Sequence, residues 1–158
     1  MMCGIIGYIG PSNTSALLLQ GLRRLEYRGY DSAGVAIQQD EGFYLKKQIG
    51  MVASLEEIMD DVPSGAGIAH TRWATHGGVT VPNAHPHLSH DNQVVLVHNG
   101  IIENANQLRE KLEKQGIKLQ SQTDSEALSQ IISNLYAGFG PFGEEMDLGT
   151  KDKPLESI

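Results

Sequence analysis

The chemistry of this chain starts with its single cysteine, Cys3, two residues from the N-terminus. A cysteine becomes a nucleophile when a neighbour lowers its pKa or takes its proton. With Met1 and Met2 removed, Cys3 would carry a free α-amine, whose pKa of about 8 suits a base at neutral pH. The competing reading is a small buried side chain capping a strand, a common fate of free cysteine. All six histidines fall between His70 and His98, and His85-Pro86-His87 raises the question of a metal. Zinc wants three or four ligands, usually backed by cysteine or carboxylate. Here the cysteine is elsewhere and Asp91 is the one acid nearby, so neither a metal nor another cofactor is expected. Residues Gly138 to Gly143 match G-x-G-x-x-G by letter, but they follow a helical pattern and contain Pro141. A dinucleotide site needs a strand before the motif and a helix after it.

The elements that must position these residues can be read from periodicity. Gly4 to Gly10 reads as a short buried strand, and Pro11-Ser12-Asn13 as turn and cap ahead of a helix to about Leu25. Leu18, Leu22 and Leu25 share its apolar face. Arg28 to Ser32 is a structured turn, followed by strand Ala33 to Gln38 and a hairpin partner Phe43 to Ile49. Ser54 to Asp60 is a short helix, Ile68 to Thr71 a strand, 73–92 a long polar loop, and Val94 to Val97 another strand. A loop of that length in a compact domain is more often functional than idle. Asn104 to Gln107 caps a helix stopped by Gly116, and Thr123 to Glu126 is a capping box opening a helix through Leu128, Ile131, Ile132 and Leu135.

With 158 residues the chain suits one domain, and 40% apolar residues with 20% charged argue against wholesale disorder. A net charge of −7 disfavours nucleic acid and anionic membrane as partners. No apolar run is long enough for a membrane span, no signal peptide is expected, and the lone cysteine fits a reducing, cytoplasmic setting. Residues 3–136 are expected to form the domain and 137–158 a polar, irregular tail.

The opening Cys3-Gly4-Ile5-Ile6-Gly7 resembles the start of the class II glutamine amidotransferases. Leu22-Arg23-Arg24-Leu25-Glu26-Tyr27-Arg28-Gly29-Tyr30-Asp31-Ser32-Ala33-Gly34 looks like the glutamine:fructose-6-phosphate aminotransferase (glucosamine-6-phosphate synthase) branch. Three later blocks agree in order: His70 to Gly77, His98 to Asn104, and Gln122 to Glu126. The Asn83-Ala84-His85-Pro86-His87 segment matches a loop of the same family. The resemblance implies an α+β fold of the N-terminal-nucleophile type, a four-layer αββα sandwich of which this chain holds about the first half. It also implies a domain that needs no cofactor and no metal.

The implied substrate is glutamine, a zwitterion with a neutral side-chain amide. Cys3 would attack that amide and form a glutamyl thioester, with Asn99 and Gly100 stabilising the oxyanion. Asn-Gly is also a strong hairpin signal, the competing reading of that pair. Arg72 would hold the α-carboxylate, with Thr75 and His76 nearby, and Asp124 the α-ammonium. Arg28 and Tyr30 would gate or position substrate beside the site. Trp73 would cap the route by which ammonia leaves, or simply pack in the core.

The family's sugar-isomerase domains, which bind fructose 6-phosphate, are expected to be missing from this chain. Family members associate largely through those domains, and uncovered strand edges here would also favour association. The alternative to an ammonia-producing domain is a catalytically silent fragment or a glutamine-binding, regulatory remnant.

Overall fold

The computed structural model describes residues 3–11, 13–62, 65–74 and 77–143. Met1 and Met2, the expected substrate contacts Thr75 and His76, and tail residues 144–158 lie outside the described residues.

A four-stranded antiparallel sheet forms the centre. Its strands are β1 (Gly4–Ile9), β2 (Ser32–Gln38), β3 (Phe43–Ile49) and β4 (Ala66–Arg72), in spatial order β1-β4-β2-β3. The β2–β3 hairpin turns at Gly42, which takes φ +77°, a conformation that glycine adopts without steric cost. Helix α1 (Thr14–Leu25) and the short α2 (Val52–Glu56) cover one face. Leu18, Leu22, Val35, Ile37, Val52, Leu55 and Ala69 are sealed between helices and sheet. Each fully buried Leu or Ile in such a core contributes about 1.5–3 kcal/mol relative to exposure.

Facing the other side of the sheet is a two-stranded ribbon, β5 (His87–Leu88) with β6 (Val95–Leu96), backed by α3 (Ala105–Lys114) and α4 (Asp124–Tyr136). An apolar cleft of about 790 Å³ lies between the two sheets, lined by Ile9, Ala36, Ile68, Val95 and Tyr136 among others. The order helix, sheet, sheet, helix is that of an αββα sandwich. Ser32 to Arg72 pairing brings the start of β2 beside the end of β4, and Gly4 pairs with Thr71. Together the two registers bring the starts of β1 and β2 to the end of β4.

Several expectations are corrected. The Gly4–Gly10 strand is not buried: β1 is an edge strand, with Ile5 43% and Ile9 89% exposed. Its glycines alternate with apolar residues and mimic a buried run. Helix α2 starts earlier and ends sooner than Ser54 to Asp60, and the loop expected over 73–92 contains β5. Tyr30 points away from the candidate site: its hydroxyl donates to Glu26 and accepts the Val52 N–H at 2.6 Å, and burial with that carboxylate raises its pKa to about 12.

The Thr123 to Glu126 capping box does not form as a box. Thr123 makes no side-chain cap, while Glu126 reaches further back and accepts the N–H groups of Gln120 at 2.7 Å and Ser121 at 2.6 Å. Helix α4 also docks by the wrong face for its hydrophobic pattern. It buries Ser125, Ser129, Gln130 and Ser133, and leaves Ile132 39% and Leu135 46% exposed. The reason lies in what it packs against. The 89–93 turn carries polar groups needing partners, and Gln130 accepts the His90 N–H at 3.0 Å while Ser133 donates to Asp91 at 2.5 Å.

The Gly138 to Gly143 letters mark the end of α4. Gly138 takes φ +83°, its N–H reaches Leu135 O at 3.1 Å, and the Phe139 N–H reaches Asn134 O at 2.9 Å. That is a Schellman stop, and Gly116 ends α3 in the same way.

Candidate active site

A pocket of about 410 Å³ opens where four elements end together. The approach to β1 supplies Cys3, and the end of β4 supplies His70, Arg72 and Trp73. The segment after β6 supplies His98, Asn99, Gly100 and Ile101, and the start of α4 supplies Thr123, Asp124 and Ser125. His85 and Arg28 complete the wall. Of the residues singled out from the sequence, Cys3, Arg28, Arg72, Trp73, Asn99, Gly100 and Asp124 therefore share one cavity.

Cys3 is partly exposed, and its sulfur accepts the Trp73 N–H at 3.2 Å. Its carbonyl accepts from the Asn99 carboxamide nitrogen at 3.2 Å, so Asn99 lies against the candidate nucleophile across 96 residues of sequence. Asn99 and Gly100 link β6 to α3 and neither takes a positive φ, so they are not the turn of a type I′ hairpin.

Arg72 is 4% exposed, and one guanidinium nitrogen donates to Gly78 O at 3.3 Å. A buried, preorganised guanidinium is suited to bidentate capture of a carboxylate. Asp124 sits at the N-terminus of α4; one oxygen accepts the Ile102 N–H at 2.8 Å and the other accepts from the Ser125 hydroxyl at 3.2 Å. The pocket thus carries a cation and an anion on separate elements, the arrangement a zwitterion requires. Trp73 is 38% exposed on the pocket wall, which is inconsistent with plain core packing. Arg28 lines the wall too, with its guanidinium 5.6 Å from the Tyr27 ring centre.

The supporting residues were not legible as such in the sequence. Asp31 accepts the Ala74 N–H at 2.5 Å, its own N–H bonds Arg72 O at 2.8 Å, and it thereby fixes the turn after β4. Asn83 accepts the Gln122 N–H at 2.8 Å and donates to Gly78 O at 2.9 Å, tying the loop before β5 to the approach to α4. Arg109 holds Ser121 O at 2.7 Å and Thr123 O at 2.9 Å. Only their presence inside the quoted blocks, in the case of Asp31, Asn83 and Gln122, offered a signal.

The histidines do not converge on a common point. His70 and His85 stack with ring centres 4.3 Å apart, and His87 meets His85 edge-on at 4.5 Å. Among the described residues no group of three or more His, Cys, Asp or Glu side chains is placed to hold a metal ion. Burial holds His70 far below its ordinary pKa, at about 4, and His87 at about 2; His85 is lowered in the same direction. These rings are neutral at neutral pH. Lys47, beneath them, is lowered to about 8 by burial and donates to Pro82 O at 3.0 Å.

The layered antiparallel fold, with a pocket holding Cys3 beside the start of β1, is that of the N-terminal-nucleophile class of amidotransferases. Two solved structures share the fold. An allosteric regulatory enzyme of purine biosynthesis superposes with TM-score 0.71 at 30% identity, over 82% of this chain and 29% of that one. A Bacillus subtilis glutamine phosphoribosylpyrophosphate amidotransferase gives 0.69 at 28% identity over the same shares. The model of the glutamine amidotransferase domain matches residues 57–141, and the chain belongs to that family.

In sequence, the chain is 51% identical over 139 residues to the isomerizing glutamine–fructose-6-phosphate aminotransferase of Thermus thermophilus, covering 87% of this chain and 23% of that enzyme. Against the enzyme of the same name from Streptomyces coelicolor it is 46% identical over 150 residues, 93% of this chain and 24% of that one. The Bacillus subtilis enzyme gives 49% over 138 residues. The chain spans about a quarter of the length of these relatives. Among the described residues no helix is long and apolar enough to cross a membrane.

Proposed function

We propose that this chain is the glutamine-hydrolysing part of a glutamine:fructose-6-phosphate aminotransferase, acting in the cytoplasm. The observation that carries the reading is the meeting of Cys3, Asn99, Gly100, Arg72 and Asp124 in one pocket. Arg72 takes the α-carboxylate of glutamine and Asp124 its α-ammonium, which directs the side-chain amide toward Cys3. Thr75 and His76 are assigned to the same substrate contacts on the strength of the family block alone.

With Met1 and Met2 removed, the α-amine of Cys3 takes the thiol proton. Sγ then forms a bond to the amide carbon of glutamine, and the carbonyl oxygen becomes an oxyanion facing the Asn99 amide and the Gly100 N–H. The α-ammonium passes its proton to the departing nitrogen, the C–N bond breaks and ammonia leaves. Water, deprotonated by the same amine, attacks the thioester and releases glutamate and the thiol. Arg28 and Trp73, on the wall, position substrate and border the exit of ammonia. The acceptor named by the relatives is fructose 6-phosphate, which would bind in regions beyond the aligned quarter of those enzymes and not in this pocket.

The test is glutamate release by purified chain and by Cys3→Ala. The account expects hydrolysis by the parent and none by the variant. Glutamine consumption that survives Cys3→Ala would overturn the mechanism, and binding of glutamine with no turnover in the parent would leave a glutamine-binding remnant as the reading.

A further inference from the structure

Asn99 can serve an oxyanion only if its carboxamide presents nitrogen, and not oxygen, to the reacting centre. One hydrogen bond already constrains the amide from the Cys3 side: the carbonyl of Cys3 accepts from Nδ2 at 3.2 Å. The opposite end, Oδ1, lies 2.8 Å from Nε2 of His70. That contact is attractive only if Nε2 carries a hydrogen. The other ring nitrogen, Nδ1, is buried and has no hydrogen-bond partner among the described residues. A proton placed there would be a buried donor with no acceptor among the described residues, a state that folding disfavours. His70 therefore has one comfortable state, neutral with hydrogen on Nε2.

From this geometry we infer that His70 is a positioning residue for the oxyanion donor: its Nε2–H fixes the Asn99 carboxamide in the orientation that aims NH2 at Cys3. In the other neutral tautomer Nε2 would accept, the amide would turn over, and Oδ1 would face both the Cys3 carbonyl and the developing negative charge. The surroundings of His70 keep it neutral chiefly by burial. The ring of His85 stacks on it at 4.3 Å, and the His85 Nδ1 accepts the His98 N–H at 3.3 Å, so that ring too is uncharged. Burial is the largest influence on His70 and disfavours a charge; the Asn99 contact and the His98 backbone favour one, and the Arg72 guanidinium and His98 disfavour it by smaller amounts. Glutamine is not touched by His70 in this account; its effect passes through Asn99.

The inference rests on the reading that Asn99 stabilises the oxyanion, so the test has two separable arms on the whole chain. The first is nitrogen–proton correlation NMR of the histidine rings and side-chain amides at pH 7. The expected result is His70 as the Nε2–H tautomer and an exchange-protected Asn99 NH2 pair that loses its protection in His70→Leu. A His70 with hydrogen on Nδ1, or an Asn99 amide unaffected by His70→Leu, would overturn the inference whatever the enzyme does. The second arm is glutamine turnover. His70→Leu should lower kcat about 10- to 100-fold, within the range for loss of an oxyanion donor, with KM little changed. His70→Gln, which restores a donor near the Nε2 position, should recover most of it.

In an Asn99→Ala background His70→Leu should cost nothing more. Additive losses would mean that His70 only supports the fold, and would overturn the inference. If the parent chain hydrolyses no glutamine, the catalytic reading fails, and the NMR arm still decides whether His70 orients Asn99.

Discussion

Arg72 carries the strongest single-residue argument for a zwitterionic substrate, because a buried guanidinium on the wall of a pocket that Asp124 also lines offers a fixed fork to a carboxylate. Replacing it with lysine keeps the charge and removes the fork. We expect Arg72→Lys to raise KM for glutamine roughly tenfold or more while kcat falls less, since the lost contact binds ground state and transition state alike. Steady-state glutamate release decides this, and an unchanged KM would take Arg72 out of the carboxylate site. The pairing with Asp124 across the pocket makes the complementary expectation: substrates lacking the α-amine should be poor. At this scale the sequence was highly legible. Cys3, Arg72, Asn99, Gly100 and Asp124 stand in blocks whose residue types carry their chemistry, and the fold brings all five into one cavity. Tyr30 was not legible, because a tyrosine next to a site in sequence says nothing about which way its ring turns.

At the scale of elements, the pocket depends on the loop before β5 lying flat against β2. Gly34, in the middle of β2, makes that contact: a Cβ there would sit 2.2 Å from the His85 carbonyl oxygen and 3.0 Å from Lys46 O, both backbone atoms. Neither neighbour can rotate away. Gly34→Ala should therefore displace the His85 loop and lower stability by about 1–3 kcal/mol, read as a shifted denaturant midpoint. A midpoint equal to the parent's would show that the loop is not held there. The hairpin expected from Ala33–Gln38 and Phe43–Ile49 and the stop at Gly116 follow from local signals, and the structure places them within a residue of the expectation. Helix α4 does not follow. Its apolar residues do not mark the packed face, because its serine and glutamine side lies on the 89–93 turn, where Gln130 accepts the His90 N–H and Ser133 donates to Asp91. Hydrophobic period cannot reveal such contacts, since they are made with residues some 40 positions away.

At the scale of the whole molecule, the neutral histidine stack links stability to pH. A folded pKa of about 4 for His70 and about 2 for His87, against an ordinary value of 6.5, means that the unfolded chain binds more protons at mildly acid pH. Stability then falls as pH drops below 6.5, at about 1.4 kcal/mol per pH unit for each such histidine. The His70 share is fully lost near pH 4, amounting to about 3 kcal/mol, while His87 continues to draw stability down below that. Urea unfolding between pH 7 and 5 should show this slope, and His87→Gln should flatten it. A stability that stays level over that interval would contradict the buried, neutral stack. Layering, too, is a property of the whole chain that local patterns did not fix. Strand β1, read as buried, is in fact an edge, and its exposed Ile9 lines the apolar cleft between the sheets.

The central claim is that Cys3 is an exposed nucleophile with a free α-amine in a pocket shaped for glutamine. Its most direct test is the intact mass of the purified chain before and after exposure to a glutamine-mimicking electrophile such as a diazoketone. The account predicts loss of both Met1 and Met2, a single adduct that Cys3→Ala abolishes, and protection by free glutamine. Retained methionines with no adduct would contradict it, because the amine base would be blocked and the pocket would not deliver its ligand to sulfur.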